Sequence, residues 1–151
     1  MKRDQAWLEA QLGRIWEEYF RDVRRRTPIV IKFGRRARNR LGSLSYHSHQ
    51  NVAIVRVTAL FQDPSIPVFV VKATIIHELC HYAHGFNSGL KRRHQHPHRG
   101  GVIRREFAER GLEDLYLKQK DWLKTHWPAV VRRHFPNLKL RRRLRWRIKI
   151  I

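Results

Sequence analysis

The run His77-Glu78-Leu79-Cys80-His81 constrains this chain more than any other feature. Residues four apart on an α-helix stack on one face, so His77 and His81 can aim two imidazole nitrogens at a single ion. Glu78 lies beside them, turned too far to be an easy ligand but close enough to hydrogen-bond a water held there. The surrounding pattern is helical. Val68, Val71, Ile75, Ile76 and Leu79 predict an apolar helix running from the Asp63-Pro64-Ser65-Ile66-Pro67 start to about His84, with Gly85 as its stop. Ser65 or Asp63 can cap that helix, and Pro67 suits its first turn. A carboxylate such as Glu78 is expensive to bury in an apolar helix without a partner or a task.

The ion expected for such a pair is zinc. Bound zinc lowers the pKa of water, and an adjacent carboxylate can take up the proton and later return it to a leaving amine. Catalytic zinc takes three protein ligands and keeps a fourth position open. One common continuation of the motif needs Gly at 84 and His at 87, but the chain has His84 and Asn87. The third ligand must come from His94, His96 or His98 in the 86–101 loop, or from Glu106 or Glu109 in the next helix. Three histidines crowded just before a helix start favour the loop. His84, at the helix end, is expected to bond backbone carbonyls. Cys80 is expected to be a buried structural thiol, and Tyr82 either core or an oxyanion donor.

The remaining pattern predicts an α+β fold. An amphipathic helix spans 4–25, with Leu8, Leu12, Ile15, Trp16, Tyr19 and Val23 on one face. Strands follow at 29–33, 43–47 and 51–57, the last able to be buried on both faces. After the zinc loop come a helix at about 102–119, bent near Gly111, and another at 121–134 containing Pro128. The tail from Leu138 to Ile151 alternates apolar residues with Lys and Arg, the period of a strand with one cationic face. The expected organisation is one domain over 1–136 and a basic tail over 137–151.

Charge bears on partners. Thirty-three Lys and Arg against twelve Asp and Glu leave a net +21, a surface that attracts polyanions. Nucleic acid is the leading candidate because the basic residues are spread along the chain, with clusters at Arg35–Arg40 and Lys139–Lys149. Trp146 in the second cluster could stack on an unpaired base. A single cysteine excludes an internal disulfide and a Cys-x-x-Cys ribbon. With neither an apolar leader nor a transmembrane run in view, the expected location is the cytoplasm, with nucleoid association possible.

The helix, the short sheet, the run His77-Glu78-Leu79-Cys80-His81-Tyr82 and a later loop histidine together resemble the SprT-like zinc metalloproteases over about residues 6–120. In that family the third ligand lies in a His-Gly-x-x-aromatic pattern that begins the next helix. His98-Arg99-Gly100-Gly101-Val102 is the nearest match, although no Gly follows His98 directly and Val102 stands where the aromatic would. The resemblance implies a zincin-like fold with a three- to four-stranded sheet. It also implies His77, His81 and His98 on zinc, Glu78 as the catalytic acid/base, protein substrates and an association with DNA more than RNA. The Cys-rich ribbon that often follows the family domain is absent. Two other readings remain: a nucleic-acid-binding module with a structural zinc, and a zinc hydrolase acting on a non-peptide substrate.

Overall fold

The computed structural model describes residues 2–138; the expected tail strand and Trp146 lie outside them. The order is helix α1 (Gln5–Tyr19), strands β1 (Ile29–Phe33), β2 (Gly42–His47) and β3 (Val52–Val57), then helices α2 (Val68–Ala83), α3 (Val102–Glu109) and α4 (Glu113–His134). This is an α+β arrangement of four helices and one mixed three-stranded sheet. The sheet order is β1-β3-β2, with β1 parallel and β2 antiparallel to β3.

Period-two alternation sorts the faces of the sheet. Ile31, Val55 and Leu44 pair in one row and are buried against the helices. The next row, Lys32, Arg56 and Ser43, points to the opposite side. Ile54 on that outer side is also buried, so β3 is apolar beyond its inner face.

α1 begins at Asp4, whose carboxylate accepts from Trp7 N at 2.9 Å. It ends at Tyr19, six residues before the expected 25. Arg110 Nη1, donating at 2.5 Å, takes the Tyr19 carbonyl that a further turn would have used. Phe20 and Val23 still reach the core from the following turn.

α2 is the central element, buried on nearly every side from Val70 to Ala83, as expected of a helix enclosed by a core. Neither Ser65 nor Asp63 caps it. Pro67 occupies the N-cap position without a side-chain bond. The Asp63 carboxylate is engaged by Ser65 N and by Arg133 and His134 at the end of α4. Arg3, itself buried, donates to the carbonyls of Phe61, Asp63 and Ile66 and ties the N-terminus to the same approach.

The chain beyond α2 also divides differently from the expectation. α3 stops at Glu109, and α4 then runs unbroken through 113–134 with Pro128 inside it. The carbonyl that loses its partner to Pro128 belongs to the exposed Lys124 and can face water. α4 buries Gln119, Leu123, Trp127, Val130 and Val131 along one stripe. Gln119 donates to Val70 O and Thr74 Oγ1 of α2, and Trp127 Nε1 donates to Arg38 O, pinning the arginine-rich 34–41 loop. Among the described residues no helix is long and apolar enough to cross a membrane.

Candidate metal centre

His77 and His81 sit one turn apart on α2, both buried, with their Nε2 atoms 3.1 Å apart. His98 closes the group from the far end of the 86–101 loop, its Nε2 lying 3.3 Å from that of His77. The three donor atoms all lie within 4.8 Å of one another, so His77, His81 and His98 are close enough to hold a metal ion. His98 is the one exposed member. It is placed there by the tight turn after it, where Gly100 and Gly101 both adopt positive φ (73° and 69°), a conformation open to glycine at little steric cost.

The electrostatics suit a cation. Burial, then the neighbouring His81 and His98, holds the His77 imidazole well below its usual range. Burial, then His98 and His84, brings His81 down to about 3, and burial lowers His98 too. All three rings are therefore neutral near pH 7, the state in which an imidazole ligates. Their nitrogens face each other with no carboxylate between them. A cation at their centre would satisfy lone pairs that otherwise compete for a shared proton.

Glu78 is fully buried, and neither carboxylate oxygen has a hydrogen-bond partner among the described residues. Burial pushes its carboxyl well above the ordinary carboxylate range, while the charge of Arg40 pulls the other way. A cleft of about 150 Å³ opens onto Glu78, His81 and His98, with Arg40, Leu44 and Phe86 among its other walls. The loop wall is fixed to the sheet by Asn87 Nδ2, which donates to Leu44 O at 3.0 Å. The geometry thus brings together three imidazoles able to ligate a metal, an unpartnered carboxylate and an opening to solvent.

The other expected candidates have different roles. His84 Nε2 lies 3.0 Å from Glu106 Oε2, so His84 pairs with a side chain instead of its own helix carbonyls. Glu106 also accepts from Arg110, and the His84 bond, followed by Arg110, draws its carboxyl down to about 2. Glu106 is thereby committed away from the metal group. His94 packs edge-on against His84 with ring centroids 4.5 Å apart, while His96 and Glu109 are exposed and outside the cluster. Cys80 is buried, as expected. Tyr82 is core: its hydroxyl donates to Thr27 O at 2.9 Å and accepts from Thr27 N at 3.3 Å.

Two residues at the site had no signal of their own in the sequence. Gly42 opens β2 directly against Glu78, and Asn87 fastens the loop wall. Both act through contacts distant in the chain. Comparisons with protein-family models, with curated proteins and with solved structures returned no match.

Proposed function

We propose that this chain is a zinc-dependent endopeptidase with a zincin-like fold, similar to the SprT-like metalloproteases. The observation that carries the reading is Glu78: a buried carboxylate without a partner, beside three converging imidazoles and facing a cleft. A buried polar group left unsatisfied is uncommon and calls for a reason. Proton transfer at a reacting centre supplies one.

The nitrogen spacing is compatible with zinc, the metal that the SprT-like resemblance implies. Donors about 2.0–2.1 Å from a tetrahedral centre lie roughly 3.3 Å apart, close to the 3.1 and 3.3 Å separations here. Zinc bound there would supply Lewis-acid activation of water and polarisation of a substrate carbonyl. His77 and His81 are held by the rigid body of α2, and His98 by its glycine turn, which leaves the cleft side open. Glu78, beside the three imidazoles and open to the cleft, would as a carboxylate take a proton from the attacking water and deliver it to the leaving amine. A structural zinc site would need a closed set of four ligands, and the described residues bring three together. That favours the catalytic reading over a binding module.

The net charge of +21 supports a nucleic acid as a partner that brings the enzyme to its protein substrates, and the SprT-like resemblance puts DNA before RNA. The testing experiment is Glu78→Gln. The variant should keep one zinc per chain and lose cleavage of a denatured protein substrate by about 10²–10⁴-fold. Undiminished cleavage would remove the mechanism. Cleavage confined to a non-peptide ester or amide panel would move the assignment to another hydrolase class.

A further inference from the structure

Beside the metal cleft lies a second, larger depression of about 540 Å³ on the outer side of the sheet. Arg35, Arg40 and Arg56 line it, with Ser43, Ser45 and Thr58 between them. Arg56 belongs to the outward row of the sheet with Lys32 and Ser43, and its Nη1 donates to Ser45 Oγ at 2.7 Å. The loop carrying Arg35 and Arg40 is fixed from both sides. Thr58 Oγ1 donates to Ala37 O, and Trp127 Nε1 donates to Arg38 O. The cationic lining is thus supported by core contacts.

Arg40 acts electrostatically on the buried Glu78, but none of the three arginines forms an ion pair among the described residues. Among the described residues the arginine ion pairs are made by Arg21, Arg104, Arg110 and Arg133, and none by Arg35, Arg40 or Arg56. Like charges gathered in a concave surface repel unless an anion joins them. The depression neighbours the metal cleft, since Arg40 and Leu44 line both. Whatever occupies it can be one molecule with whatever occupies the cleft.

We propose that this groove binds acidic side chains of the substrate peptide, next to the bond presented to the metal cleft, so that the protein selects acidic segments. The statement rests on the peptidase reading. A guanidinium fork matches a carboxylate in two parallel hydrogen bonds, and the Ser43 hydroxyl lies among the same lining residues. No aromatic side chain lines the groove, so an unpaired nucleic acid strand would find no base-stacking platform there.

The test measures binding and cleavage separately. Fluorescence anisotropy on zinc-loaded Glu78→Gln protein compares a labelled peptide carrying a block of glutamates with its glutamine counterpart. The acidic peptide should bind about tenfold tighter. Arg35→Glu and Arg56→Glu should each abolish that preference, whereas Arg24→Glu, the same charge change on an exposed residue outside the groove, should leave most of it. Arg35 is exposed, so its variant guards against misfolding of the Arg56 variant. Equal affinity for the two peptides overturns the proposal, as does an equal loss in Arg24→Glu. So does single-stranded DNA binding that depends on Arg35 and Arg56 while peptide binding does not. Wild-type protein is then given both peptides. An acidic preference in binding with neither peptide cut supports the groove and removes the peptidase reading. Cutting of both at the same rate keeps the peptidase reading and removes the groove.

Discussion

Gly42 and Glu78 touch so closely that a Cβ added to Gly42 would stand 2.7 Å from Glu78 Oε1. The same Cβ would meet Thr74 Cγ2 at 2.9 Å. The first residue of β2 therefore packs its bare backbone against the carboxylate that the motif supplies, and the sheet sets the position of Glu78 as much as its helix does.

Gly42→Ala follows from that contact. The added methyl must displace either Glu78 or the α2–β2 packing, at about 1–3 kcal/mol of stability. Zinc content should be retained because His77, His81 and His98 are not touched, while kcat falls more than KM changes. Thermal unfolding, metal analysis and steady-state kinetics on one preparation check all three. Wild-type kcat in the alanine variant would contradict the positioning role of Gly42.

Tyr82→Phe separates structure from chemistry. Its hydroxyl is used by Thr27, deep in the core and away from the cleft. Losing it should cost about 0.5–1.5 kcal/mol of stability and leave the turnover of the folded protein unchanged. A large fall in kcat at full folding would instead assign Tyr82 to the oxyanion.

Glu106 predicts an acid limb in stability. It faces His84, which caps α2, and Arg110, which caps its own helix, and Arg110 in turn meets Asp22 after α1. The His84 bond and then Arg110 lower its carboxyl from 4.5 to about 2, against the opposing effect of burial. A depressed folded pKa means the unfolded chain binds the proton first. The contribution is therefore complete above about pH 4.5 and is lost as pH falls through about 2. In denaturant titrations across that range, Glu106→Gln should be less stable than wild type at neutral pH and converge with it in acid. Parallel curves would contradict the assignment.

The three strands and the motif helix were legible because their periods are local. Alternation marks Ile29–Phe33, a short apolar run marks Val52–Val57, and 3.6-residue spacing marks Val68–Ala83. What was not legible depends on partners far along the chain. α1 stops where Arg110 takes the Tyr19 carbonyl, and Asp63 is drawn from capping α2 by Arg133 and His134. The choice among loop histidines has the same character. Spacing alone left His94, His96 and His98 open, and the resemblance selected His98. The structure brings His98 to α2 while His94 packs on His84, whose own partner is Glu106.

The most direct measurement is the metal content of purified, zinc-equilibrated protein and its single-alanine variants. The account predicts one zinc per chain in wild type, His94→Ala and His96→Ala, with occupancy lost in His77→Ala and His81→Ala and sharply weakened in His98→Ala. Folded wild-type protein that retains no stoichiometric metal, or a His98→Ala variant that binds it as tightly as wild type, would contradict it.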